Sequence, residues 1–420
     1  VQLLRAMRYF KYGWEDRSRA SCFVLELADR PYNGCSCTIP SSSADCLAAP
    51  FSPLDSTMRV QLRQIALSIA GRSVLEGLDL STDENEYVVI LGPSGCGKTS
   101  TLRIIAGLQK ADRGEVRFND TPVTVKPPRE RGVAMVFQHD ALYPHLTVEK
   151  SILLGLGGGT RDPDLSSRLK AAAEMTQIAG LLDRFPDQLS GGELRRAAVA
   201  KAIVRRSPVR LLDEPLSALD ASARHLLQDD LLRWHRKVPG TTIHVTHDGY
   251  EAMRMADRMA ILHQGRIVQF DSPDKIYHEP TSLAAACAIG SPSMNLFPAR
   301  IESNSLVMSD PRIRVALEHS SFGPDCDVVL GVRPESLRAV SGEEPSLRGL
   351  QVTANPVEIR RDIYGWRVRA EIDQLTIHGE MNNAVTDGLS DSEKTIRLRA
   401  DESQLHLFDA STGQRLKEIG

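Results

Sequence analysis

Gly92-Pro93-Ser94-Gly95-Cys96-Gly97-Lys98-Thr99 stands directly after the apolar run Tyr87-Val88-Val89-Ile90-Leu91 and ahead of a helical pattern that opens near Ser100. Strand, glycine-rich turn and helix in that order make a phosphate-binding loop. The glycines let backbone N–H groups curl round an anion, Lys98 can reach the β and γ oxygens of a nucleoside triphosphate, and the Thr99 hydroxyl is placed for Mg²⁺. A glycine-rich turn alone is often only a turn; here the flanking strand and helix complete the pattern.

Further along, Leu189-Ser190-Gly191-Gly192-Glu193 is followed by Val209-Arg210-Leu211-Leu212-Asp213-Glu214-Pro215 and then by Thr246-His247-Asp248. From Glu193 to Val204 the spacing is helical, with Leu194, Ala197, Ala198 and Ala202 on one side. The start of such a helix presents unpaired N–H groups to an anion. Asp213 and Glu214 end an apolar strand, where successive side chains project to opposite sides, so the two carboxylates take different jobs.

This order of motifs resembles the ABC-type ATPases. The resemblance implies an α/β P-loop NTPase fold with ATP and Mg²⁺ as cofactors. It puts Gly92, Pro93, Ser94, Gly95, Cys96, Gly97, Lys98, Thr99 and Ser100 around the nucleotide, and Thr99, Gln138 and Asp213 at the metal. Glu214 would polarise the attacking water and His247 would sense the γ-phosphate, roles that suit a general base and a donor near neutral pH. Gln138, in Val136-Phe137-Gln138, would contact Mg²⁺ or water on a loop that meets the permease. Ser190, Gly191 and Gly192 would cap the γ-phosphate held by a partner subunit, so that each of two sites is shared between two chains. Asp220, in Ser217-Ala218-Leu219-Asp220, would organise that interface.

Some positions depart from the family pattern. Arg210 stands in the strand before Asp213, where an apolar residue is expected, and a charge there is costly unless it snorkels or pairs. Glu193 replaces the more frequent Gln of the signature. Ile69, in Leu67-Ser68-Ile69-Ala70-Gly71, stands where the family places an aromatic that stacks on adenine.

Strand-like runs at 87–91, 133–137, 209–212 and 242–246 alternate with helical stretches, which favours a largely parallel sheet with nucleotide at its carboxyl edge. Met259-Ala260-Ile261-Leu262 and Ile267-Val268-Gln269-Phe270, around Gln264-Gly265, read as a hairpin. The expected ATPase domain is 58–290, with a helical subdomain at about 140–205 and no space for a long coiled-coil insertion. Beyond Gly290, short alternating runs such as Val328-Val329-Leu330, Leu350-Gln351-Val352 and Trp366-Arg367-Val368-Arg369 indicate an all-β domain over 291–420. Gly290-Ser291-Pro292-Ser293-Met294-Asn295, Gly331-Val332-Arg333-Pro334-Glu335 and Leu405-His406-Leu407-Phe408-Asp409-Ala410-Ser411-Thr412-Gly413 resemble the OB-like, TOBE-type regulatory domain of importer ATPases of the maltose and glycerol-3-phosphate type.

Length and composition agree. With 420 residues, 41% of them apolar, the chain has room for two or three domains with cores of their own. A net charge of −3 leaves no basic footprint for nucleic acid. No run approaches the length of a membrane span, and the first residues show no signal-peptide core. Residues 1–57 fall outside the family pattern and hold Cys22, Cys35, Cys37 and Cys46 at spacings of no familiar zinc module. They read as a poorly ordered tail or as upstream sequence translated in frame, since Met58 stands where the family domain begins.

The resemblance implies the ATP-hydrolysing subunit of an ABC importer for a carbohydrate or glycerol-3-phosphate, peripheral on the cytoplasmic side of the inner membrane. Its partners would be two transmembrane permeases, a periplasmic or extracellular solute-binding protein, and a second ATPase subunit, identical or paralogous. An importer for polyamine, ferric ion or an oxyanion is the alternative within transport; a soluble ABC ATPase or a regulatory protein is the alternative outside it. Base stacking on an aromatic contributes ~1–3 kcal/mol, so the absence of that ring weakens ATP binding about 5- to 150-fold before any apolar contact from Ile69 offsets it. Ile69→Tyr is accordingly expected to tighten ATP binding in a titration; an unchanged affinity contradicts the placement of the adenine at this residue.

Overall fold

A strand such as Tyr87–Leu91, with all five residues buried, is stable only in the middle of a sheet covered on both faces. In the computed structural model it lies there, between the parallel strands Arg258–His263 and Thr241–Thr246. The structure describes residues 57–137, 142–154, 156, 164–217, 219–303, 305–317, 325–340, 348–362, 365–381 and 395–416. The N-terminal stretch 1–56 and Gln138 lie outside the described residues.

The central sheet runs in the order Arg266–Asp271, Arg258–His263, Tyr87–Leu91, Thr241–Thr246, Val209–Asp213, Val133–Val136. All neighbours are parallel except the outermost pair, the hairpin read around Gln264-Gly265. On one face sits an antiparallel sheet of Arg72–Ser81, Val60–Ile69, Arg113–Phe118 and Thr121–Pro122, which the alternation in the sequence did not suggest. Its inward residues Val60, Leu62, Ile65, Leu75 and Leu78 close a core with Leu102, Ile104 and Ile105 of the helix Lys98–Ala106 and with Val88 and Ile90 of the strand. On the other face Val89 and Leu91 meet helices Val148–Leu154, Leu165–Met175, Gly191–Val204 and Ala221–Lys237. The small residues Ala197, Ala198 and Ala202 bring the third of these close; Leu194 packs at its margin.

Beyond the sheet, helices Pro273–His278 and Leu283–Ala288 lead into an all-β region. Strands Gly349–Asp362, Gly365–Ile372, Leu375–Met381, Arg338–Ala339 and Ile396–Ala400 form a closed barrel, because the first also pairs with the last. A four-stranded sheet of Ser305–Met308, Asn295–Glu302, Cys326–Val332 and Leu405–Asp409 packs its apolar residues into the same core. Arg333 joins this region to the two helices: it donates to the carbonyls of Ala286, Ile289 and Tyr277 at 2.8–3.0 Å and stacks on the Tyr277 ring at 4.3 Å. That contact gives the Arg-Pro-Glu segment a physical reason. The final motif ends on a tight turn in which Asp409 accepts from the backbone N–H groups of Ser411 and Thr412.

Arg210 is 1% exposed inside its strand. It is accommodated by reaching the strand's amino end, where Nη2 donates to the carbonyls of Val238 and Pro239 and the guanidinium lies 4.6 Å over the Trp234 ring. Burial still lowers its pKa to about 10. Arg131 solves a different problem, tying carbonyls in the last turn of the helix Lys98–Ala106 to those of Thr124 and Lys126. Gly107 turns left-handed at φ 77°, and beneath it Arg131 donates to Ile104, Ile105, Thr124 and Lys126 carbonyls at 2.8–2.9 Å. A Cβ on Gly107 would stand 2.6 Å from Arg131 Nε. Arg131→Met leaves four carbonyls without this donor, and its expected cost is ~2–4 kcal/mol in chemical denaturation. A loss under about 0.5 kcal/mol, the usual scale of an inert substitution, would show that water replaces the guanidinium.

Candidate active site

Three strands of the central sheet end together, and the P-loop, Asp213-Glu214 and His247 follow directly from those ends. Gly95 and Gly97 have φ of 81° and 109°, a backbone region in which a Cβ is strained. Space is also short: a Cβ on Gly97 would lie 2.6 Å from Leu75 Cδ2, and one on Gly92 only 2.3 Å from the Leu262 carbonyl oxygen. The Lys98 ammonium, 5% exposed, lies across the loop and donates to the carbonyls of Gly92 and Pro93 at 2.9 Å each.

The Thr99 hydroxyl donates to Asp213 Oδ1 at 2.9 Å. Burial pushes the Asp213 carboxyl up, partly offset by the Thr99 bond, and the neighbouring charge of Glu214 raises it further. A buried carboxylate held against a hydroxyl in this way suits a hard divalent cation, with Thr99 and Asp213 as oxygen donors. The residues therefore fit a magnesium-bound nucleoside triphosphate.

Asp213 and Glu214 are separated by backbone conformation and not by the strand pleat that the sequence suggested. Asp213 is the last strand residue, whereas Glu214 adopts φ 45°, left-handed and unfavourable for a side chain larger than glycine. That turn aims its carboxylate at His247 Nδ1, 3.3 Å away, and brings it within 3.9 Å of Lys98 Nζ. The His247 hydrogen bond and the His247, Lys98 and Arg195 charges hold the Glu214 carboxyl below its usual range, against the cost of burial. Reciprocally, the Glu214 bond and charge hold the His247 imidazole above its usual range.

A buried group behind His247 fixes its loop. Thr246 Oγ1 donates to Glu251 Oε2 at 3.1 Å and accepts from the Asp248 N–H, while Asp248 caps the helix Gly249–Met255. Glu251 Oε1 lies 2.7 Å from His244 Nε2, and His244 Nδ1 is 3.1 Å from the Tyr87 hydroxyl. The Thr246-His247-Asp248 motif borders this group, but no motif drew attention to Glu251, His244 and Tyr87 as its members, or to Arg195, whose carbonyl partners lie far from it in sequence.

The other named residues stand apart from this cluster. Ser190 caps Gly191–Val204 in a reciprocal arrangement: its hydroxyl accepts from the Glu193 N–H at 3.3 Å, and Glu193 accepts from the Ser190 N–H at 2.8 Å. A carboxylate serves this box as well as an amide, which accounts for Glu193. Asp220 caps Ala221–Lys237 by accepting from the Ala223 N–H at 2.9 Å. Ile69 ends its strand 47% exposed.

The ABC transporter family profile matches residues 75–217, and the MalK OB fold domain profile matches 290–337. The sn-glycerol-3-phosphate import ATP-binding protein UgpC of Cereibacter sphaeroides is 39% identical over 361 residues, 85% of this chain and 99% of that protein. The chain belongs to the ATP-binding subunits of ABC importers. Such a subunit hydrolyses ATP to drive import, and permeases, solute-binding proteins and pairing of ATP-binding subunits go with the family. The sulfoquinovosyl glycerol transport ATP-binding protein SmoE of Agrobacterium fabrum is 36% identical, covering 84% of this importer subunit and 98% of its own length. UgpC of Escherichia coli is also 36% identical, covering 85% and 99%. No helix among the described residues is long and apolar enough to cross a membrane.

Glu214, with its pKa lowered, contributes stability above its unfolded pKa that is lost as pH falls through the folded one. His247, with its pKa raised, contributes stability below its unfolded pKa that is lost as pH rises through the folded one. The pair therefore holds best between the two folded values. In an NMR titration the His247 ring is expected to titrate above the ordinary histidine value of about 6.5 and to fall back towards it in Glu214→Gln. An unmoved midpoint would contradict the pairing.

Proposed function

We propose that this importer subunit binds Mg²⁺-ATP at the P-loop and hydrolyses it with Glu214 orienting the attacking water. The observation that supports this reading most directly is the convergence of Lys98, Thr99, Asp213, Glu214 and His247 on one sheet edge. Mg²⁺, when bound, neutralises developing charge on the phosphate oxygens. Thr99 and Asp213 would hold it, joined by Gln138. Lys98 exchanges the carbonyls of Gly92 and Pro93 for phosphate oxygens, an exchange that adds little reorganisation because the ammonium is already in the loop. Glu214, ionised and aimed by its left-handed backbone, accepts a proton or a hydrogen bond from water. His247 fixes the direction of that carboxylate and offers a donor to the γ-phosphate.

The hydroxyl and N–H of Ser190 are spent on Glu193 within their own helix start, and Gly191 beside it is exposed. This exposed helix start suits an anion carried by a second subunit, so two chains would close over two nucleotides, with Asp220 at the interface. Closure that favours one arrangement of attached permeases, and hydrolysis that releases it, converts differential affinity into transport. The names of the relatives favour a glycerol phosphate or a related carbohydrate as the solute, delivered by a solute-binding protein to two permeases. The subunit would sit peripherally at the cytoplasmic face.

Glu214→Gln tests the assignment. The expected result is retained ATP binding with turnover lowered about 10²- to 10⁴-fold, the scale of a lost general base or water-orienting group. Hydrolysis at the wild-type rate would remove Glu214 from the mechanism.

A further inference from the structure

Arg195 lies in the second turn of the helix Gly191–Val204, and its guanidinium is directed out of that helix at the ends of two strands. Nε donates to the Pro215 carbonyl at 2.7 Å, Nη1 to the Phe137 carbonyl at 2.6 Å, and Nη2 to the carbonyls of Asp213, at 3.1 Å, and Glu214. Phe137 immediately precedes Gln138, and the other three acceptors are the peptide groups on either side of Glu214 and the one after them. A single side chain from the helix that Ser190 opens thus crosslinks the backbone on both sides of Glu214 to Phe137, at the end of the neighbouring strand.

This matters because Glu214 does not hold its own conformation cheaply. A left-handed residue of this size persists only when its surroundings over-determine it. The Glu214 N–H is fixed by the Val245 carbonyl at 3.0 Å, and the peptide oxygens before and after it are fixed by Arg195. The planar fork of a guanidinium can meet several carbonyls at once where an ammonium cannot. Hydrogen bonds weaken steeply with distance and angle, so a displacement of the helix by an ångström or so loosens all four together.

We infer that Arg195 is a positioning residue for hydrolysis, transmitting the position of the helix Gly191–Val204 to the backbone around Glu214 and to Phe137. The inference rests on the reading of Glu214 given above. It makes catalytic geometry depend on where the helical subdomain stands, because the clamp originates there and the carboxylate does not. Its described acceptors, Phe137, Asp213, Glu214 and Pro215, lie outside the glycine loop, so nucleotide binding is left largely to the P-loop.

Steady-state ATP hydrolysis by the full chain distinguishes this from a structural role. Arg195→Ala is expected to lower kcat about 10- to 100-fold, the scale of an ångström misplacement, while the KM for ATP stays within about threefold. Free guanidinium ion at sub-denaturing concentration is expected to restore part of kcat in Arg195→Ala and to do nothing for Glu214→Gln. Arg195→Lys, which keeps the charge and much of the packing, is expected to fall between, and it carries the test if the alanine variant does not fold. A kcat within twofold of wild type in Arg195→Lys and Arg195→Ala overturns the inference, as does a loss that guanidinium leaves unchanged and that raises KM in step. Wild-type hydrolysis in Glu214→Gln overturns instead the reading of Glu214; a stalled Glu214→Gln beside an unaffected Arg195→Ala overturns the Arg195 inference alone.

Discussion

The 2.9 Å hydrogen bond from the Thr99 hydroxyl to the Asp213 carboxylate joins the start of the P-loop helix to the end of a strand 114 residues away. It can form only if Tyr87–Leu91, Thr241–Thr246 and Val209–Asp213 lie side by side, parallel and in register. Parallel strands buried on both faces need cover, and the antiparallel sheet on one side and the helices on the other supply it. Loops leaving the carboxyl ends of neighbouring strands then converge without further instruction, which is why Lys98, Thr99, Asp213, Glu214 and His247 meet at one edge.

Buried arginines serve a common purpose in this chain. Arg131, Arg210 and Arg333 are each no more than 5% exposed, and each directs its guanidinium at main-chain carbonyls where an element ends. Arg195 does the same at the active site. Carbonyls at the ends of helices and strands have no partner within their own element, and a planar donor with five N–H groups can satisfy several at once. The cost is desolvation, visible in the lowered pKa of all four guanidinium groups. The return is a fixed relation between elements far apart in sequence, most plainly where Arg333 ties the barrel region to helices Pro273–His278 and Leu283–Ala288.

Features carried by local chemistry were legible in the sequence. The glycine-rich loop needs special backbone angles and the hairpin at Gln264-Gly265 announces its turn, whereas the Ser190–Glu193 capping box emerged only in the structure, Glu193 having read as no more than a departure from Gln. Alternating apolar residues foretold the β region beyond Gly290, which the strands from Asn295 to Asp409 and the OB-fold profile over 290–337 bear out. Features that depend on distant partners were not legible. The strands Val60–Ile69 and Arg72–Ser81 carry bulges and a polar outer face that break simple alternation. The left-handed backbone of Glu214 is set by Val245 and Arg195, neither of them a neighbour in sequence. Arg210 read as a misfit because the strand end, the Val238 and Pro239 carbonyls and the Trp234 ring that receive it come together only on folding.

The claim on which the functional account turns is that a nucleotide held by one chain is closed over by the Ser190 helix of another. Sedimentation of the Glu214→Gln protein with and without Mg²⁺-ATP measures this directly. The account predicts a monomer that becomes a dimer when ATP is added, and a return to monomer, with ATP still bound, when Ser190→Arg is combined with it. ATP-loaded chains that stay monomeric, or a dimer indifferent to Ser190→Arg, would contradict it.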